Sequence, residues 1–371
     1  MLRARHRLLA LALLAGAAAC GPRPAEAQVE IVDVGRFNFT GGASDDPRRV
    51  AEELSGLAHM GGERFVAVSD EHATLYFLDI AIDPATGRVR SVTFAPPVPL
   101  VDDSGRPLPE PRMGSDREDV AYDPTSGNVW IADEWDAGDP SRPSLVQVDP
   151  QTGRTLSRVS MPADGPLSVY RHTRRNYGFE ALARRARDGA LWTGNEEALT
   201  IDGPLATTAA GSVVRLQELD DRARPVRQVA YVTDPEGRPI ETPPQAVGED
   251  RSGVSALIAL DDGRLLVLER ALVGDSSGMG SFRIRIYLAD PSDATDVSAP
   301  PFRSGLAMRS DWVPATKALL WEGRFGLPVS NFEGMALGPR LADGSRSLLL
   351  VADNGAGTWQ SIYALTLRGV P

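Results

Sequence analysis

A short acidic unit recurs five times along this chain at a nearly constant internal spacing, and that register restricts the possible folds more than any other feature. Its first half reads ELSGLAHM from Glu53, DREDVAYD from Asp116, YGFEALAR from Tyr177, SGVSALIA from Ser252 and SNFEGMAL from Ser330. A brief apolar run follows each and ends in polar residues, as VAVSDE, VWIADE, LWTGNE, LLVLER and LLVADN. Aligned, the first element gives a column of Ser55, Glu118, Glu180, Ser255 and Glu333, and the second a column of Asp70, Asp133, Asn195, Glu269 and Asp353. The offsets between the columns are 15, 15, 15, 14 and 20 residues.

A fixed offset with a turn in its middle predicts an antiparallel hairpin, which returns the start of its first strand and the end of its second to the same sheet edge. Both polar columns are therefore expected to open onto one face. Turn residues sit where this requires, at Gly61-Gly62, Asp123 to Gly127, Asp188-Gly189, Asp262-Gly263 and Asp343-Gly344. Further strand-like runs follow, among them TLYFLDIAI, SLVQVD, SVVRLQEL, FRIRIYLA and SIYALTL.

Repeats of this length, each supplying four short strands, predict an all-β chain folded as a β-propeller of five blades, or six if one blade has lost the motif. A row of β-sandwich modules is the competing architecture, but it gives no reason for every second strand to end in an acid or amide. The last repeat offers three strands, whereas VEIVDVGRFNF, over 29–39, has no hairpin of its own. It is expected to close the ring as the missing outer strand.

The N-terminus reads as an export leader over residues 1–19, extending to 27 under ordinary cleavage. MLRARHR is its charged region, and the apolar LLALALLAGAAA is too short for a comfortable membrane span. Cys20, the single cysteine, stands where a bacterial lipoprotein would be acylated, and Ala25-Glu26-Ala27 is the competing cleavage site. Residues 20–42 then form a tether and the closing strand, and 43–371 the propeller domain. The expected location is the periplasm or cell surface, with the membrane reached only through the lipid, or the medium if cleavage follows Ala27. No disulfide can form in the mature body.

A net charge of −11 argues against nucleic acid as a partner. His59, His72 and His172 lack the spacing of a zinc site. A G-x-S-x-G match at 274–278 falls in a Gly/Ser-rich loop between strands and not at a strand-to-helix elbow, so it is read as a flexible loop. The acidic columns are the stronger candidate. Carboxylates converging on one mouth repel, and the repulsion is relieved by protons or hard cations. Oxygen donors without His or Cys favour Ca²⁺, with Mg²⁺ or Mn²⁺ as alternatives. Asp and Asn at strand ends also cap turns, but glutamate is a poor turn former, and Glu118, Glu180 and Glu333 share one column. Glu118, Glu180 and Glu333 with Asp70, Asp133 and Asp353 are the expected cation ligands. Arginines flank them at Arg117, Arg174, Arg175, Arg251 and Arg270, a pattern suited to a small anionic ligand or to salt bridges along the channel.

RRNYGFEALA, DREDVAYD and SNFEGMALG, each followed by a strand with a polar end, resemble the phytase-like domain family, also described as having the esterase-like activity of phytase. The resemblance spans roughly residues 43–367, and its most specific motif is Arg175-Asn176-Tyr177-Gly178-Phe179-Glu180. It implies an extracytoplasmic propeller hydrolysing phosphate or other esters. By analogy with calcium-dependent propeller phytases, the motif acids would hold metal. Arg117, Arg175 and Arg270 would stabilise developing charge, and Glu134 or Glu196 would act as general base. A lactonase or carboxylic-ester hydrolase and a non-catalytic ligand-binding propeller stay open beside the phosphoesterase. A monomer suffices for each.

Overall fold

The computed structural model describes residues 28–42, 50–108, 116–134, 142–207, 209–235, 252–273, 281–326, 331–355 and 359–370. The leader with Cys20, the G-x-S-x-G segment and Arg251 lie outside them. Blade 1 contains β2 (Leu54–Gly61), β3 (Arg64–Ser69), β4 (Thr74–Ile82) and β5 (Val89–Phe94), with the short β6 (Val98–Pro99) also pairing β4. Blade 2 contains β7 (Arg117–Tyr122), β8 (Val129–Asp133), β9 (Ser144–Val148) and β10 (Thr155–Ser160). Blade 3 contains β11 (Phe179–Arg184), β12 (Leu191–Asn195), β13 (Val213–Leu219) and β14 (Pro225–Val232). Blade 4 contains β15 (Ser252–Ala259), β16 (Leu265–Val273), β17 (Ser281–Asp290) and β18 (Thr316–Gly326). Blade 5 contains β19 (Asn331–Arg340), β20 (Arg346–Asp353) and β21 (Gln360–Arg368), and its fourth strand is β1 (Glu30–Phe39). The architecture is a five-bladed propeller.

Ring closure follows the expectation. β1 pairs antiparallel with β21 from Glu30↔Arg368 to Phe39↔Gln360, so the two ends of the domain share one sheet. Each blade is buried on both faces, which is why the second strands read as unbroken apolar runs instead of alternating. In β3, Val66 and Val68 pack with Val120 and Ile131 of blade 2, whereas Phe65 and Ala67 pack with Leu349 and Val351 of blade 5. Equivalent interfaces join blades 2 and 3 through Trp130 and Phe179, blades 3 and 4 through Trp192 and Val267, and blades 4 and 5 through Leu268 and Phe332.

One irregularity repeats in all five blades. The innermost strand slips register against its partner between Leu54 and Gly56, Arg117 and Asp119, Phe179 and Ala181, Val254 and Ala256, and Phe332 and Gly334. The extra residue in each case is Ser55, Glu118, Glu180, Ser255 or Glu333. A β-bulge re-aims a side chain and ends regular pairing, so the first sequence column is a ring of five bulges around the axis.

Candidate active site

The bulges fix what stands opposite them. The residues paired just before each bulge are Ser69, Asp133, Asn195, Glu269 and Ala352. One position further on are Asp70, Glu134, Glu196, Arg270 and Asp353. Side chains alternate along a strand, and a one-residue slip moves a group to the other side. The second column therefore needs correction in its three middle members. Glu269 accepts from the Tyr231 hydroxyl of blade 3 and from Lys317 Nζ of its own blade, both at 2.6 Å, and belongs to neither acidic triad. Asn195 donates to the Glu197 carbonyl and accepts from Arg215 N. Asp133 accepts from Asp116 N at 3.2 Å and lies 3.5 Å from Arg158, turning toward its own blade's outer strand. The offset alone could not expose this error, because hairpins of slightly different length put their mouth residue at different counts.

Glu134, Glu196 and Arg270 occupy the rim with Asp70 and Asp353, and they tie neighbouring blades together. Glu134 Oε1 accepts from Gly178 N at 2.9 Å in the next blade, and Val254 N donates to the Glu196 carbonyl. Both crossings need glycine: a Cβ on Gly178 would stand 2.5 Å from Glu134 Cγ, and one on Gly253 2.5 Å from Glu196 Cγ. The distinctive 175–180 motif is thereby explained. Asn176 takes a left-handed φ of 58°, Gly178 admits Glu134, Phe179 meets Tyr170 edge-on in the core, and Glu180 forms the bulge.

The acids divide into three groups. Glu53, Asp70 and Asp353 bring carboxylate oxygens within 4.8 Å of one another, and so do Asp116, Glu118 and Glu134. The third group surrounds Arg270, whose guanidinium lies 2.7 Å from Glu196, 2.5 Å from Glu333 and 3.7 Å from Glu180, and also donates to Asn331 Oδ1. The six expected cation ligands thus fall on both sides of a division. Asp70 and Asp353 join one triad and Glu118 the other, Glu180 and Glu333 face Arg270, and Asp133 joins neither triad. Glu53 and Asp116 escaped the sequence reading, although each lies two residues before its bulge, a column whose remaining members are Gly178, Gly253 and Asn331.

Burial and mutual repulsion dominate the titration of this ring. Asp70 is pushed up to about 10, first by desolvation and then by Asp353, Glu333, Asp116 and Glu53. Asp116 rises to about 6 through desolvation and Asp133, with Glu118 and Arg117 opposing. Glu118 is raised well above the usual range by burial and then by Glu180, Asp116 and Glu134. Glu333 rises to about 8, burial leading and Arg270 opposing. Burial would lower Arg270, but Glu333, Glu196 and Glu180 outweigh it and hold the guanidinium charged.

The two triads fit a hard cation. Their donors are all oxygen. Among the described residues, Asp70 Oδ1 and Asp116 Oδ1 are buried with no hydrogen-bond partner, and the hydroxyls of Ser55 and Ser255, at the other two bulges, are buried and equally unpartnered. The expected anion-binding arginines are placed less favourably. Arg117 is 2% exposed, enclosed at the base of β7 instead of open to solvent. Arg174 donates to the Ala198 and Gly203 carbonyls, and Arg270 is engaged as described. Arg175, just before β11, is exposed.

Fold and site together define a five-bladed propeller with an acidic, cation-suited axial mouth. The chain belongs to the phytase-like family, described as esterase-like activity of phytase, whose model matches residues 50–356. None of the curated protein sequences matches significantly. Among solved structures, the chain is similar to a putative oxidoreductase (glucose dehydrogenase) of Thermus thermophilus, with 12% identity over 92% of this chain and 100% of that one and a TM-score of 0.39. It is also similar to a DUF4221 family member from Bacteroides vulgatus, with 9% identity over 92% and 99% and a TM-score of 0.40. At that level of similarity these structures carry no functional argument.

Proposed function

We propose that this protein is a metal-dependent ester hydrolase acting on phosphate esters at the acidic mouth, with Ca²⁺ as the preferred ion and Mg²⁺ or Mn²⁺ as alternatives. The family supports a hydrolase-like role. The observation that carries the reading further is the pair of carboxylate triads, each of which includes one buried oxygen, Asp70 Oδ1 or Asp116 Oδ1, with no hydrogen-bond partner among the described residues. Asp116, Glu118 and Glu134 would hold one ion and Glu53, Asp70 and Asp353 a second. A bound cation would supply positive charge to the ester oxygens and lower the pKa of the attacking water.

The chain's own groups have separate tasks. Glu134, oriented by the Gly178 N–H bond to Oε1, takes the proton from that water. Glu196 is held by Arg270 and serves to orient that guanidinium, which faces the charge developing on the ester. Arg175, exposed at the rim, receives the anionic part of the substrate. A second reading, a lactonase or carboxylic-ester hydrolase, is favoured by one fact: Arg117 is enclosed and Arg270 committed to carboxylates, so less cationic surface faces a phosphate. The reading also places the protein outside the cytoplasm, with Cys20 acylated or cleavage after Ala27, which intact-mass analysis of membrane and soluble fractions resolves.

The test is a panel of phosphomonoesters, p-nitrophenyl acetate and lactones, assayed with added Ca²⁺ and with chelator. Phosphate release that chelator abolishes supports the first reading. Chelator-sensitive turnover of the carboxylic esters alone selects the second, and turnover indifferent to chelator defeats both.

A further inference from the structure

The same axial channel ends differently at the hairpin turns. All five innermost strands there line a cavity of about 330 Å³, with Leu57, Val120, Leu182, Leu257 and Met335 among its walls. Its rim is formed by the turn residues Gly61, Pro124 and Ala186, with His59, Tyr122, Arg184 and Arg346 as the charged or titratable residues that line it. The walls begin two residues beyond each bulge, so the cavity lies on the axis directly beneath the acidic ring.

Neighbouring innermost strands pack tightly between the two ends. A Cβ on Gly56 would stand 2.6 Å from Asp119 Cα, and one on Gly334 would stand 2.6 Å from the Ser55 carbonyl and 3.1 Å from Gly56 Cα. The innermost strands of blades 1, 2 and 5 therefore approach through their backbones at this level, between the bulges and the cavity walls.

The rim cations are not equivalent. Arg184 is paired with Asp123 at 2.7 Å. His59 is hydrogen-bonded through Nε2 to the Gly62 carbonyl and stacked against Phe65. Arg346 is part-buried, donates to the Gly338 carbonyl through Nε and Nη2, and has no carboxylate within salt-bridge distance among the described residues. A half-enclosed guanidinium that only Asp261 offsets, and that from beyond ion-pair distance, set at the lip of a cavity walled by apolar side chains, is complementary to a molecule with an anionic head and an apolar body.

We infer that this turn-end cavity binds a medium-chain carboxylate, its acyl chain against Leu57, Val120, Leu182, Leu257 and Met335 and its carboxylate on Arg346. This assignment does not rest on the metal reading of the mouth.

Octanoate titrated into the full-length protein by calorimetry tests it, with acetate lacking the chain and octanol lacking the charge. Octanoate should bind at least tenfold more tightly than either. Arg346→Gln should weaken octanoate at least tenfold while leaving octanol unchanged, and Arg346→Lys should recover most of the loss. Glu118→Gln, at the mouth, should leave octanoate affinity intact. Octanoate binding no tighter than acetate, an Arg346→Gln protein with an unchanged melting curve and undiminished octanoate affinity, or loss of binding in Glu118→Gln would each overturn the assignment.

Discussion

Two arcs of the acidic ring meet the same electrostatic problem with different means. Around blades 3 to 5, Glu180, Glu196 and Glu333 are gathered on Arg270, a cation the chain provides from blade 4. From the edge of blade 5 through blades 1 and 2, Glu53, Asp70 and Asp353, and then Asp116, Glu118 and Glu134, approach one another with no arginine in the equivalent place. The rim position that is Asp70, Glu134, Glu196 and Asp353 in the other four blades is Arg270 in blade 4. One residue therefore decides which arc is neutralised within the protein and which is left to protons or ions. Propeller symmetry supplies five near-identical slots, and function arises from how they are made unequal.

The largest test of this contrast is Arg270→Gln. Removing the cation from a buried network leaves its carboxylates uncompensated, and urea unfolding in chelator should show a loss of about 3–5 kcal/mol. If the loss falls below about 1 kcal/mol, the arc is not neutralised in the way described.

On the other arc, each Ca²⁺ site filled at about a hundredfold its Kd should stabilise the parent by about 2.7 kcal/mol. Glu118→Gln should remove most of the gain from its own site, read as a melting shift between calcium and chelator. Glu333→Gln should retain more of it, because its carboxyl already has Arg270. Equal effects in the two variants would erase the distinction between the arcs.

Gly178→Ala probes the stitching between blades. Its Cβ would press on Glu134 Cγ, and the overpacking should cost about 1–3 kcal/mol together with displacement of a triad member. Calcium-dependent stabilisation that survives unchanged would show that Glu134 is not held by this contact.

The gentlest effect is on pH dependence. Asp116, Glu333 and Asp70 move from ordinary values of 3.8, 4.5 and 3.8 to about 6, 8 and 10, so they hold protons more tightly folded than unfolded. Unfolding then releases protons, and in chelator their contribution, complete below pH 4, should decline as pH rises through 6 to 8. Calcium should reverse the trend, since its affinity grows as the carboxyls deprotonate. Asp70→Asn should flatten the chelator profile.

Much of this was legible in the residues. Blade number, hairpin pairing and closure by β1 followed from spacing and from one unaccounted strand. The shared position of Glu118, Glu180 and Glu333 at the bulges was legible because glutamate has little reason to sit at a strand start unless its side chain is wanted there. The second column failed at Asp133, Asn195 and Glu269, since counting along the chain ignores the two-residue period that decides which way a side chain faces. The role of Arg270 was hidden for a related reason: adjacency to Glu269 in sequence suggested that they act together, whereas they lie on opposite sides of β16. Sequence also could not reveal the tight packing at Gly56 and Gly334, because close backbone approach is a property of neighbouring blades.

Strand polarity gives the molecule an orientation. β19 runs from the mouth to the turns, β20 back, and β21 to the turns again, so β1, antiparallel to β21, begins at the turn end with Glu30 and finishes near the mouth with Phe39. Whatever precedes Val29 departs from the face that carries the apolar cavity. If Cys20 bears a lipid, the residues between it and β1 can span no more than about 35 Å even fully extended. The domain would then sit with its turn face toward the bilayer and its acidic mouth turned outward, open to solutes arriving from the aqueous side.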